Sequence, residues 1–199
     1  MLLATPYSAP PARSLARNPP GDLAIWIFIL AELLAFAVLF VLYGVARARH
    51  VELFDAMQLT LDRNAGALNT VLLISASWCV ARAVLAIRRD ATAPSARWLL
   101  FGMLAGVGFL VVKIFEYSAK FEAGINLDTN LFYMFYLSLT FFHFMHVILG
   151  LVILAFVWQR TRQGAYSSAD CHGMETGASY WHMVDLVWIV LFPLVYVMR

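Results

Sequence analysis

Charge is what this sequence has least of. Only 13% of its 199 residues are Asp, Glu, Lys or Arg, and 62% are apolar, whereas soluble domains average about 25% charged and about 45–50% apolar residues. So few charges cannot cover a water-facing surface, which excludes a soluble globular enzyme. Cysteine is nearly missing as well: Cys79 in an apolar run and Cys171 in a polar stretch form no Cys-x-x-Cys pair, so neither a dithiol couple nor a cysteine metal site can be built from them. There is no basic patch. The formal charge is +2, and lysines and arginines are scattered between apolar runs, which argues against a nucleic-acid partner. The opening stretch "MLLATPYSAPPARSLARNPPGD" lacks the cationic start and apolar stretch of a cleaved signal. Rich in Pro and Ala, residues 1–21 read as a disordered tail.

What is there is long apolar runs. About 20 apolar residues cross about 30 Å of hydrocarbon, and that rule predicts five spans, near 23–44, 67–87, 98–119, 130–158 and 179–198. The fold class is therefore an all-α membrane protein, a five-helix transmembrane bundle occupying 22–199 as one domain with no room for a separate catalytic one. Asp22 after "PPG" is a candidate N-cap, and "RRDATAPSAR" breaks the chain between the second and third spans. An odd number of spans puts the termini on opposite sides. With the N-terminus cytoplasmic, that side holds Arg13, Arg17, Arg82, Arg88, Arg89, Arg97, Arg160 and Arg162, the majority of the 14 basic residues. The excess predicts a cytoplasmic N-terminus and a periplasmic C-terminus.

Polar groups inside spans cost free energy, so each is a functional candidate. Glu32 sits in "IWIFILAELLAFAVLF" with no polar neighbour in sequence; it reads as a proton-handling group, a lipid or helix contact, or a glutamic acid hydrogen-bonded within the bundle. "NTVLLISAS" aligns Asn69, Thr70, Ser75 and Ser77 along a helix with small residues, a pattern of close helix packing. "KIFEYSAK" sets Lys113 and Glu116 at the i, i+3 spacing of an ion pair, expected near the outer end of its span. "FFHFMHVILG" places His143 and His146 one turn apart, and "SYWHMVDLVW" does the same for His182 and Asp185. Two imidazoles on one turn can be half of a metal site. Here, a rise of about 1.5 Å per residue spreads Glu116, the histidine pair and His182 over different depths. Only His143 or His146 against His182 would offer axial ligands to a haem.

Taken together, these motifs resemble subunit III of the haem-copper oxidases. The resemblance is carried in order by "AELLAF" (Glu32), "NTVLLISAS" (Asn69, Thr70), "FEY" (Glu116, Tyr117), "FFHFMHVILG" (His143, His146, Gly150) and "ETGASYWHMVDLVW" (Glu175, Trp181, His182, Asp185, Trp188). It covers residues 22–199. The full-length family subunit has seven helices, the first two splayed from the other five around a lipid-filled cleft, and this chain matches only the five. In that it is most similar to the short five-helix group encoded with bacterial nitric-oxide reductase, the NorE group.

The resemblance implies a non-catalytic accessory subunit in the bacterial inner membrane, with no metal or haem of its own. Redox centres would belong to a catalytic membrane subunit of a haem-copper-type reductase, nitric-oxide reductase being the first expectation. The alternative within the family is subunit III of an aerobic cytochrome c or quinol oxidase. It further implies that Glu32 occupies the position of the family's carbodiimide-reactive carboxyl, that phospholipid can be bound, and that Asn69, Thr70, Glu116, Tyr117, His143, His146, Trp181, His182 and Asp185 are structural or partner-contact groups. Two readings of other classes stay open: a small haem- or metal-binding redox protein using His143, His146 and His182, and a transporter with Glu32 as proton site. Against the latter stands the lack of Gly/Pro-broken half-helices.

Overall fold

A computed structural model describes residues 23–198. The tail expected at 1–21 and the N-cap expected at Asp22 lie outside these described residues. Six α-helices follow one another: α1 (Leu23–Arg49), α2 (Val51–Gln58), α3 (Arg63–Ile87), α4 (Thr92–Glu122), α5 (Leu131–Arg162) and α6 (His172–Phe192), the last continued by a π-helical turn, Pro193–Val197. Five of these helices are long and apolar enough to cross a membrane, α6 with its turn counting as one. This is a multi-pass membrane protein, because helices satisfy all their backbone groups internally where water cannot.

The spans begin and end where local chemistry dictates. Asp62 caps α3 by accepting from the backbone N–H groups of Asn64 and Ala65 at 2.9 and 3.1 Å, and Asn130 caps α5 through Tyr133 N–H at 2.9 Å. Glycines in the left-handed region follow α4 and α5, Gly124 at φ +74° and Gly164 at +72°. Each is followed by a residue whose N–H reaches back five positions, Ile125 to Lys120 O and Ala165 to Arg160 O, which stops the helix. The turn at 88–91 bends at Asp90, φ +57°. Four boundaries differ materially from the sequence reading. Helix α1 runs to Arg49, α4 and α5 extend beyond the hydrocarbon length, and α6 starts at His172 instead of near 179. The apolar-run rule finds only the part that contacts lipid, and the polar first turns of α6 pack on protein. It also missed α2, whose eight residues are too few to span.

Helices α3, α4, α5 and α6 form a closed ring in which each packs against the next, α6 returning to α3. Helix α1 lies outside it, against α6 and α5. Gly102 and Gly106, four apart on one face of α4, allow the close approaches. A Cβ at Gly102 would stand 3.3 Å from Ala76 O, and one at Gly106 would stand 2.7 Å from Trp181 Cη2. Gly150 of α5 cradles the same indole from the other side, 3.0 Å from Trp181 Cε3. Trp181 is thus the central plug of the ring and is fully buried. Helix α2 closes the outer end by donating Gln58 Nε2 to Val195 O at 2.9 Å.

Candidate functional site

The largest polar cluster sits where the sequence suggested a simple pair. Lys113 and Glu116 do pair, Nζ to Oε2 at 3.0 Å, but they are buried between helices and not at a rim. Lys113 also donates to Tyr196 Oη at 2.7 Å, and the hydroxyls of Tyr196 and Tyr136 both donate to Glu116 Oε1, at 2.7 and 2.6 Å. The ammonium is surrounded by the rings of Tyr117, Tyr136, Tyr196 and Trp188, with centroids 5.0 to 5.7 Å away. One charged pair, saturated by two phenols, thereby ties α4, α5 and the turn that ends α6. Tyr136 and Tyr196 were not singled out in the sequence; the signal was a hydroxyl-bearing ring in an apolar run, which must find a partner. Tyr117 donates to Thr140 Oγ1 at 3.0 Å.

Glu32 is not isolated. Its Oε2 lies 3.0 Å from His146 Nε2, across the gap from α1 to α5. His146 Nδ1 stands 2.7 Å from Phe142 O, and a carbonyl only accepts, so Nδ1 carries a proton. The Nε2–Oε2 contact therefore holds one further proton, on the carboxyl with the imidazole accepting or on the imidazole with the carboxylate accepting. The two histidines of α5 do not share a ligand. His143 turns away from His146 and donates Nε2–H to Val184 O on α6 at 3.0 Å, between the rings of Phe109 and Trp188.

The spacing of His182 and Asp185 suits a bond to each other or to a neighbouring helix, such as the one bearing His143 and His146. The neighbouring helix proves to be α3: His182 Nδ1 lies 2.7 Å from Ser77 Oγ. The hydroxyl of Ser77, counted in the sequence as a packing residue only, also engages Asp185, whose Oδ1 is buried without a partner among the described residues. Because α6 begins at His172, His182 lies roughly 15 Å along it, near mid-membrane and not near its entry. Thr70 accepts from Trp188 Nε1 at 3.0 Å. Asn69 is buried, with neither amide atom partnered among the described residues, and the same holds for Trp181 Nε1 and His143 Nδ1.

The candidate residues thus converge pairwise and not on one point. Among the described residues no group of three or more His, Cys, Asp and Glu side chains is placed to hold a metal, and His143, His146 and His182 have their hydrogen bonds to three different helices. At the end of the bundle where α3 gives way to α4, Arg88 clamps Glu175 through Nε and Nη2 at 3.2 and 2.7 Å. Asp90 accepts from Ser168 N–H and Oγ–H, each at 2.7 Å, and those two bonds hold its carboxyl below the usual range.

The order of these groups along the chain is that of a known family. The family model for cytochrome c oxidase subunit III matches residues 21–199. The chain is 32% identical to the cytochrome c oxidase subunit 3 of Thermostichus vulcanus over 88% of this chain and 86% of that protein. It is 29% identical to the probable cytochrome c oxidase subunit 3 of Nocardia farcinica, over 98% of this chain and 97% of that one. It is also 29% identical to part of the heme-copper oxidase subunit I+III of Aeropyrum pernix, matching 87% of this chain and 22% of that protein. With residues 21–199 matched by the family model and a relative 32% identical over most of both chains, the protein belongs to the cytochrome c oxidase subunit III family.

Proposed function

We propose that this chain is a non-catalytic accessory subunit of an aerobic cytochrome c oxidase, holding no redox centre of its own and supporting a catalytic membrane subunit. The observation that carries the reading is the use made of the ionisable groups. His143, His146, His182, Glu32, Lys113 and Glu116 each reach a group on another helix or on the turn after α6, the pattern of polar side chains that fix helix docking.

The relatives' names favour the aerobic oxidase over the nitric-oxide reductase first expected. That expectation rested on the short, five-helix length. The Nocardia farcinica protein, named a probable cytochrome c oxidase subunit 3, is matched over 97% of its own length, so shortness is no mark of the NorE group. The catalytic subunit as partner is supported by the Aeropyrum pernix protein, whose name joins subunits I and III in one chain. The arginine excess supports a cytoplasmic N-terminus and periplasmic C-terminus in a bacterial inner membrane.

Affinity purification of the tagged chain in mild detergent tests all of this. The expected result is co-purification of an oxidase whose haem spectrum scales with the catalytic subunit. A Soret band at one haem per copy of this chain alone would overturn the accessory reading in favour of a redox protein built on His143, His146 or His182. Recovery of a nitric-oxide reductase would return the partner to the first expectation.

A further inference from the structure

The ring of helices has one surface feature that its own contacts leave unused. Helix α1 packs on α6 and α5, and α3 packs on the opposite flank of α6, yet α1 and α3 share no substantial contact. Between them runs a groove floored by the outer strip of α6. That strip carries His182, Leu186 and Ile189, all exposed. On the α3 wall, Val71 and Ile74 are 61% and 48% exposed and lie beside the Thr70–Ser77 stripe that contacts α6.

His182 makes this strip different from a lipid-facing surface. It stands near mid-membrane, roughly 15 Å from the start of α6. Ser77 fixes the ring through Nδ1, and Nε2 has no partner among the described residues. A hydrogen-bonding nitrogen left facing hydrocarbon is costly, because lipid chains offer nothing to replace water. The other exposed side chains of the strip, Leu186, Ile189 and Val190, are 53%, 47% and 43% exposed and aliphatic. The surface thus combines an apolar trough with a single fixed polar group, His182. Phospholipid acyl chains fit the trough and cannot bond to the imidazole. The peripheral helix of a second copy, α1, exposes only apolar residues from Leu23 to Val45 and could not bond to the imidazole either.

The geometry points to the groove between α1 and α3 as the seat of a transmembrane helix of the partner, one that carries a side-chain hydrogen-bonding group, such as Ser, Thr, Asn or Tyr, opposite His182. This rests on the accessory reading above and specifies the surface it uses. Ser77 sets the polarity of the contact. When its hydroxyl is donated to Asp185, His182 Nδ1–H donates to Ser77 and Nε2 is a bare acceptor; when the hydroxyl is donated to His182 Nδ1, Nε2–H is a donor. Both arrangements suit a hydroxyl or carboxamide on the partner helix, which can accept as well as donate.

The experiment is site-specific photocrosslinking in native membranes, followed by purification through a tag on this chain. A photoreactive residue at Leu186 or Ile74, inside the groove, is expected to capture the catalytic subunit; one at Leu104 of α4 or Val152 of α5, on the far side of the ring, is not. His182→Phe should lower co-retention of the partner in detergent by roughly three- to fifteen-fold, the range for one interhelical hydrogen bond in a membrane. Leu186→Trp, which fills the trough without touching the Ser77 bond, should lower it as well and covers the case in which His182→Phe misfolds. Capture from Leu104 or Val152 with none from the groove would overturn the surface and leave the accessory reading intact. Groove crosslinks to lipid alone, or to a second copy of this chain, would overturn it in favour of that occupant. Failure of any partner to co-purify would sink the accessory reading itself.

Discussion

Helices α1 and α6 are nearly equal in length, 27 residues against 26 with the terminal turn, and opposite in every other respect. In the most apolar stretch of each, 11% of α1 is buried and 56% of α6. The more apolar helix is the peripheral one. In water the reverse would hold, but lipid solvates Leu, Phe and Val without cost, and what must be sheltered is the polar side chain. Helix α6 brings Glu175, His182, Asp185, the indole N–H of Trp188 and, on its turn, Tyr196, and these oblige it to occupy the centre. Helix α1 has Glu32 as the one carboxyl of its spanning part, whose bond to His146 together with Ile29, Phe36 and Tyr43 helps to dock it. Across the five spans burial broadly rises as hydropathy falls, because it is the polar side chains that must be sheltered.

If that is right, the heaviest damage comes from unpairing the buried charges at the end of α6. Lys113→Met would leave Glu116 with two phenols and no counter-charge, and breaking one side of a buried pair costs about 3–5 kcal/mol. Thermal unfolding in detergent should show that loss, and Lys113→Met with Glu116→Leu should recover much of it, since two apolar residues leave no orphan charge. Wild-type stability in the single variant would break the comparison at its root.

A smaller effect separates the two helices by packing. Gly106→Val drives a side chain into Trp181, whose Cη2 is 2.7 Å from the new Cβ, and overpacking of that kind costs about 1–3 kcal/mol. Gly44 of α1 has nothing within 4 Å of a built Cβ, so Gly44→Val should stay within about 0.5 kcal/mol, as exposed sites do. Equal melting temperatures for the two variants would mean that α1 is held far more tightly than its contacts imply.

How much of this was legible depended on the kind of residue. The five spans were readable because hydrocarbon thickness fixes a minimum apolar length. The polar start of α6 and the whole of α2 were not, because what holds them is contact with other helices. Glu32, His143, His146, His182 and Asp185 were flagged by type. The partners of His182 and of the Lys113–Glu116 pair were not, because Ser77, Tyr136 and Tyr196 are polar groups small or amphipathic enough to pass for packing residues. The depth argument that kept His143 away from Glu116 used helix ends set by hydropathy, and several of those ends moved. In the fold, Trp188 touches both His143 and the Lys113 site. Chain length carried the least information: it favoured a nitric-oxide reductase as partner, whereas the relatives' names favour an aerobic oxidase.

The tie of α1 gives the next test. Glu32→Gln keeps an amide that can donate to His146 Nε2, while Glu32→Leu leaves that nitrogen unpaired, at a cost of about 1–3 kcal/mol for a buried orphan. Unfolding midpoints should therefore place Gln near wild type and Leu below it. Indistinguishable variants would show that apolar contact alone docks α1 and that Glu32 serves something other than attachment.

The smallest effect lies outside the membrane, where α6 is entered. Asp90, in the turn between α3 and α4, grips Ser168 in the loop leading to α6 through two 2.7 Å bonds, and α1 has no comparable clip at its outer end beyond the Arg47–Asp55 pair at 3.1 Å. Those bonds lower the carboxyl of Asp90 below its ordinary value, which is about 3.9 for an unperturbed aspartate. A depressed folded-state value means that the clip's contribution is complete above the unfolded value and is lost as pH falls through the folded one. Amide exchange at Ser168, corrected for its intrinsic rate, should thus be equally protected from pH 7 to about 4 and lose protection only below that. Asp90→Asn, which retains one carbonyl acceptor but no charge, should show weaker protection with no step in this acid range. Protection that collapses above pH 5, or a step that survives in Asp90→Asn, would mean that another group holds the loop and that the entry of α6 is no better fastened than α1.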